Sequence, residues 1–330
     1  MNLESLGIKL PLFPVSSVGS FPKPLSIKKA RAQFCSGEIS ENELFEVEKE
    51  ATRKWIEFQN DIGIDVVVDG EMYRGDMVAY FAERLPGFEV GGFVRSYGNR
   101  YYRKPIVTGK VSWEKPLTVS WWEYAQSLTK KPVKGMLTGP YTIMDWSFNE
   151  YYNSRRDTAL ALAQVVRREV EALIAAGARI IQIDEPACSV RTDELSLVVE
   201  AMDAVTRDLS AYFLTHICYG DFEKIYPGML DIPVDNFDLE MSNSDNSLLT
   251  CFKKQPFTKD LSAGVVDVHT HRIESHEEVV KRIREIAEFV PLKQLWIDPD
   301  CGLKTRSVKE AKQKLRTIVD TVKELRKEFH

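Results

Sequence analysis

The chain lacks the features that mark several broad classes of protein. It has no run of about 18 apolar residues, so no membrane-spanning helix is expected. Its first residues, MNLESLGIKLPLFP, lack the basic start and apolar stretch of a secretory signal. It lacks a basic excess, since 44 Lys and Arg stand against 49 Asp and Glu for a net charge of −5. Nothing therefore marks it for general nucleic-acid binding. There is no Gly/Ser-rich linker, low-complexity segment or short repeat, and the 330 residues read as one catalytic domain. Cysteine is sparse and odd in number: Cys35, Cys188, Cys218, Cys251 and Cys301. That count argues against a disulfide framework and for reduced thiols in a cytoplasmic protein. Histidine is as sparse, with His216, His269, His271, His276 and His330, so the position of each carries weight.

What is present is a recurring unit: a short β-branched run, a polar or Gly-containing turn, then an amphipathic helix. That alternation predicts βαβ units and a parallel sheet. Strands are expected at 10–18, 65–68, 133–137, 178–183, 211–214, 237–239, 264–268 and 292–297. Helical patterning covers 24–60 and 194–209. Two late helices are announced by capping boxes, Ser275 with Glu278 and Ser307 with Glu310. The last carries Val308, Ala311, Leu315, Ile318, Val322 and Leu325 at spacings of three and four. Residues 87–125, richer in aromatics and glycine, read as a β-hairpin-like insertion between strands two and three. The expected fold is a (β/α)8 TIM-type barrel, with a doubly wound open sheet as the second choice.

The polar motifs fall just after the expected strands: 17–20 (SVGS), 69–71 (DGE), 138–142 (TGPYT), 184–186 (DEP), 215–218 (THIC), 240–245 (EMSNSD), 267–271 (DVHTH) and 298–302 (DPDCG). In a barrel these loops share the face on which active sites are built. His216 and Cys218, two apart in an extended segment, project to one side and can reach one metal. Cys301 and Glu240 follow other strands. One His, two Cys and one Glu suit tetrahedral zinc, and the thiolates select it over hard cations. Taken singly, the same residues read as a core histidine, a small buried hydrophobe, an ion-pair or N-cap glutamate and a turn cysteine. His269-Thr270-His271 also matches the HxH pair of metal-dependent hydrolase barrels, although here it follows the seventh strand and not the first.

Longer stretches carry a resemblance: 17–23 (SVGSFPK), 69–81 (DGEMYRGDMVAYF), 138–148 (TGPYTIMDWSF), 181–187 (IQIDEPA), 216–219 (HICY), 240–245, 266–270 (VDVHT) and 296–306 (WIDPDCGLKTR). Almost end to end, the chain resembles the C-terminal catalytic domain of cobalamin-independent methionine synthase, as a short, core-only form. The resemblance implies methyl transfer to the thiol of homocysteine, with zinc bound by His216, Cys218, Glu240 and Cys301. It implies that homocysteine is held by backbone around Val18, Gly19 and Ser20 and by the carboxylates of Glu71 and Asp184. It places Trp146 near the methyl donor and gives His269 the part of proton donor. His271 is read as a surface or outer residue. Cys35, Cys188 and Cys251 are read as non-ligands, Cys188 lying close to Asp184.

The donor is where the chain departs from the longer members. Those carry an additional N-terminal half that helps bind a polyglutamylated methyl-folate. They also place a glutamate six positions after the aspartate matching Asp184, where this chain has Val190. Both departures point to methylcobalamin or a methylated corrinoid protein as the donor. Arg100, Tyr101 and Lys104, in the region matching the folate contacts of long members, keep methyltetrahydrofolate as the alternative. Methyl transfer to another thiol is a further alternative.

Overall fold

The computed structural model describes residues 3–96, 100–220, 222–242 and 247–329. Helices α1 (Leu25–Cys35), α2 (Glu41–Ile62) and the short α3 (Ala79–Ala82) come first. A hairpin of β1 (Phe88–Ser96) and β2 (Arg100–Val107) follows, then α4 (Val119–Ser127). Strand and helix then alternate: β3 (Gly135–Thr138), α5 (Pro140–Asp145), the two-residue β4 (Phe148–Asn149), α6 (Arg155–Ala176), β5 (Ile180–Asp184), α7 (Leu195–Thr206), β6 (Tyr212–Ile217), α8 (Phe222–Ile225) and β7 (Asn236–Leu239). The series ends with α9 (Ser247–Lys254), β8 (Asp260–Gly264), α10 (His276–Ala287), β9 (Leu295–Asp298) and α11 (Val308–Glu328).

The chain divides into two compact units. One comprises Arg74–Ser120 and Gly135–Asp235. Within it β3, β5 and β6 pair in parallel, with Thr138 opposite Asp184 and Gln182 opposite Leu214. All three strands are buried, as expected of parallel strands covered on both faces. The hairpin strands β1 and β2 pair antiparallel, with the register shifting between Val90 and Phe93 at the Gly91-Gly92 pair. Helix α6 starts at Ser154, whose side chain accepts from Asp157 N, and stops at Gly177 in the left-handed conformation.

The other unit comprises Asn2–Tyr73, Trp121–Lys134 and Asn236–His330. Here β7, β8 and β9 pair in parallel. Val15 bridges Ile297, its carbonyl accepts from Asp65 N and Val66 N, and Val67 bridges Val133. Helices α2, α10 and α11 each open on a complete capping box, at Ser40/Glu43, Ser275/Glu278 and Ser307/Glu310. The expected apolar stripe of α11 is buried from Ala311 to Leu325. The main sheet runs in the order β3-β5-β6-β7-β8-β9. With the bridged segments at Val15 and Val67, the described residues hold eight strand segments in this sheet, and the fold is a (β/α)8 TIM-type barrel with a hairpin between its second and third strands.

Several expected boundaries change. The insertion is narrower than 87–125: the hairpin ends at Val107, and Val119–Ser127 is helical. Strand β8 is Asp260–Gly264, whereas 265–268 lies beyond it. Only the second half of 292–297 is strand, because Leu292–Gln294 forms a 3-10 turn. Strand β6 runs on to Ile217, so His216 lies within it.

Candidate functional site

His216 is the penultimate residue of β6 and Cys218 is the first beyond it, so strand alternation turns both side chains to one side. The segment is tied down along its backbone. His216 O accepts from Glu185 N at 3.1 Å, and Cys218 O accepts from Ser189 Oγ at 3.0 Å. Thr215 Oγ1 donates to Ile183 O at 2.8 Å. Both ligand candidates are buried. The next residue, Tyr219, has φ 57°, a left-handed conformation that costs a non-glycine residue about 1–3 kcal/mol. Such strain persists only where the surroundings over-determine it. It is an unforeseen mark of a constrained loop directly after Cys218.

The ligand atoms of His216, Cys218 and Cys301 all lie within 4.8 Å of one another. Zinc bonds of about 2.3 Å to sulfur and about 2.0 Å to nitrogen place tetrahedral ligand atoms a little under 4 Å apart, so this donor set fits the metal. Glu240, the fourth expected ligand, is outside that group. Its Oε1 lies 3.6 Å from Nε2 of His269. The Glu240 carboxylate holds the imidazole pKa above its usual value, against the effect of partial burial. His269 is half-buried, and its backbone N–H donates to Asp267 Oδ1 at 2.6 Å. His271 points elsewhere: it is exposed, with Nδ1 2.9 Å from Glu310 Oε1. Of the remaining cysteines, Cys188 is fully buried, and burial next to Glu185 pushes its thiol pKa well up. That is an inert core position. Cys35 is exposed and Cys251 half-buried. The last three residues of the motif at 240–245 lie outside the described residues.

The expected substrate residues are all buried or half-buried. Val18 and Ser20 are buried, and Gly19 between them takes φ 154°. Gly70 and Glu71 both adopt positive φ, 80° and 57°. Glu71 N donates to Asp69 Oδ1 at 2.8 Å, whose other oxygen accepts from Tyr73 at 3.0 Å. A buried carboxylate on a strained non-glycine backbone is a geometry that binding sites use. Lys23 is its neighbour: burial lowers its pKa to about 8, with the Glu71 charge opposing. Asp184 ends β5, buried, and Oδ1 accepts from Gln182 Nε2 at 2.8 Å. Trp146 closes α5, half-buried, with its carbonyl accepting from Tyr102 of the hairpin at 3.2 Å. Glu185 directly follows Asp184. It is fully buried and accepts from Tyr141 N (3.0 Å), Thr142 N (2.7 Å) and Thr142 Oγ1 (2.7 Å). It thereby fixes the start of the helix that leads to Trp146. Its only signal in the sequence was an acid next to Asp184 in the DEP motif. The side chain of Arg100 lies outside the described residues, while Tyr101 is exposed and Lys104 sits 3.8 Å over the ring of Phe148.

Residues 13–324 match the model of the family described as cobalamin-independent synthase, catalytic domain. The chain belongs to this family. Among its relatives, a methionine synthase of Saccharolobus solfataricus is 40% identical over 322 residues, covering 97% of each chain. A 5-methyltetrahydropteroyltriglutamate–homocysteine methyltransferase of Saccharophagus degradans is 43% identical over 331 residues. That match covers 97% of this chain but only 43% of the relative, so the chain spans less than half of that longer protein. A solved structure of a B12-independent methionine synthase from Shewanella sp. W3-18-1, in complex with selenomethionine, superposes with a TM-score of 0.85 at 28% identity, covering 96% of this chain and 99% of that one. These comparisons correct the expected donor. Methylcobalamin or a corrinoid protein conflicts with a family described as cobalamin-independent, and the longer relative is named for a methyl-pteroyl donor. Among the described residues no helix is long and apolar enough to cross a membrane.

Proposed function

We propose that this chain methylates the thiol of homocysteine to give methionine, with a methyl-tetrahydropteroyl polyglutamate as donor. The reading is carried by the His216, Cys218 and Cys301 group in a chain of this family. These residues would hold zinc, with Glu240 as the fourth, exchangeable ligand. Bound there, zinc supplies a thiolate at neutral pH from a thiol whose ordinary pKa is about 8.5.

The remaining chemistry belongs to the chain. Asp184 and Glu71 pair with the substrate ammonium group, and backbone N–H groups at Val18–Ser20 receive its carboxylate. That three-point hold fixes the direction of the sulfur, and orientation of this kind contributes several kcal/mol to lowering a barrier. Trp146 borders the methyl donor. Loss of the methyl group leaves a pteridine nitrogen that must take up a proton. His269, with Nε2 3.6 Å from Glu240, would supply it as general acid. The selenomethionine bound by the Shewanella relative supports a methionine-shaped product site.

The test is methionine formation by the zinc-loaded protein from homocysteine, with methyl-tetrahydropteroyl triglutamate and methylcobalamin offered in parallel. Product from the pteroyl donor supports the proposal. Product from methylcobalamin alone overturns the donor and keeps the thiol chemistry. Failure to bind homocysteine overturns the substrate.

A further inference from the structure

We propose that Asp300 is a positioning residue for the metal centre, locking together the two loops that carry Glu240 and Cys301. The inference rests on the zinc reading given above. Asp300 directly precedes Cys301 and is fully buried. Its Oδ1 accepts from Met241 N at 3.0 Å and from Ser242 N at 2.9 Å, the two residues directly after Glu240. Its Oδ2 accepts from the Ser242 hydroxyl. Its own N–H donates to Val266 O at 3.0 Å. One side chain thus makes three bonds to the loop after β7, while its backbone is anchored to the segment after β8.

To make that reach, the carboxylate passes over the end of β8, where the chain has Gly264. A Cβ at Gly264 would stand 2.3 Å from Asp300 Oδ1, 2.6 Å from its Cα and 3.0 Å from Leu239 O. Backbone atoms on two sides leave no room for the neighbours to yield. Gly264 and Asp300 therefore act as one element, a bare strand end and the acid that crosses it.

The same arrangement occurs independently in the other unit. Glu185 accepts from two successive backbone N–H groups, Tyr141 and Thr142, and from the hydroxyl of the second. It too crosses a glycine, since a Cβ at Gly139 would lie 2.2 Å from Glu185 Oε1. The repeat of donor pattern and bare glycine marks a recurring way of fixing one strand-end loop through its neighbour. At Asp300 the loops so fixed are the two that bear proposed ligands. Groups that orient metal ligands change metal affinity by about 10- to 100-fold when removed.

The experiment compares the parent protein with Asp300→Ala, Asp300→Asn and Gly264→Ala. Each is stripped of metal, then titrated with zinc against a chromophoric chelator and with Co(II), whose thiolate charge-transfer band reports ligand geometry. Unfolding midpoints of the metal-free proteins report the purely structural effect. Asp300→Ala is expected to weaken zinc binding about 10- to 100-fold and to alter the cobalt band. Asp300→Asn keeps an oxygen for both backbone N–H groups and is expected to hold the parental affinity and band. Gly264→Ala, with Asp300 intact, is expected to weaken zinc as Asp300→Ala does. If Asp300→Ala does not fold, Gly264→Ala decides by the same readout. Parental zinc affinity and cobalt band in Asp300→Ala or Gly264→Ala overturns the inference alone. A parent protein that binds no zinc overturns the metal reading, and this inference with it.

Discussion

The side-chain amide of Gln182 donates to Asp184 Oδ1 at 2.8 Å, from the same strand and the same side of it. On the proposed reading Asp184 receives an ammonium group, which needs one oxygen held and the other directed, and Gln182 supplies the hold. Hydrogen bonds to charged groups are worth about 1.5–3 kcal/mol. Gln182→Leu is therefore expected to raise the KM for homocysteine by about tenfold or more, with kcat changed much less. Steady-state kinetics over a range of homocysteine settle it, and an unchanged KM would remove Asp184 from the substrate site.

The cysteines are expected to separate by role. Cys218→Ala and Cys301→Ala should each cost the protein its stoichiometric zinc, while Cys188→Ala should keep it. The Cys188 thiol is fully enclosed, and losing its sulfur leaves only a small cavity, on the order of 1 kcal/mol. Metal analysis of the purified variants checks this, and zinc lost with Cys188 would redraw the site.

Glu185 gives a pH signature. Burial, outweighing the donors from Thr142 and Tyr141, raises its pKa from 4.5 to about 7. The folded chain thus holds this proton more tightly than the unfolded chain. Its contribution is fully present below about pH 4.5 and is lost as the pH rises to about 7, a change of roughly 3 kcal/mol. Glu185→Gln should abolish that fall, so the variant gains stability relative to the parent between about pH 5 and about pH 8. Urea unfolding at both ends measures it, and parallel pH profiles would refute the assignment.

Lys314 and Glu274 form an ion pair at 2.8 Å with both side chains fully buried. Glu274 also accepts from Asp267 N at 2.9 Å, and so holds the loop that carries His269. Removing one partner strands a buried charge. Lys314→Met is expected to destabilise the fold by about 3–5 kcal/mol. A loss below about 1 kcal/mol on urea unfolding would mean that Glu274 finds another partner.

The sequence pattern disclosed most of the barrel because its signals are local. Capping boxes at Ser275 and Ser307 and the period of α11 need no tertiary context. Strand β8 shows where such signals fail. The run 265–268 holds three valines and reads as a strand, yet Val265 N donates to Asp298 O and Val266 O accepts from Asp300 N, so it serves as a packed loop. The actual strand, DLSAG, is small and polar because its neighbours demand it: Ser262 N donates to Asn236 Oδ1, and Gly264 lies under Asp300. The grouping of His216, Cys218 and Cys301 was legible from residue type and placement after strands. The parts played by Asp300 and Glu185 were hidden, since an acid that binds backbone groups looks in sequence like any other acid in a polar motif. The approach of Glu240 to His269 had no local signal, since the two residues come from different strand-end loops.

The crossing of Gly264 by Asp300 also constrains how this chain can vary. A side chain at 264 is incompatible with the acid at 300 in its present course, and an acid at 300 is idle once that course is blocked. The two positions, far apart in sequence, should therefore be inherited as a pair: members of the family with a residue larger than glycine at the first should have abandoned the acid at the second.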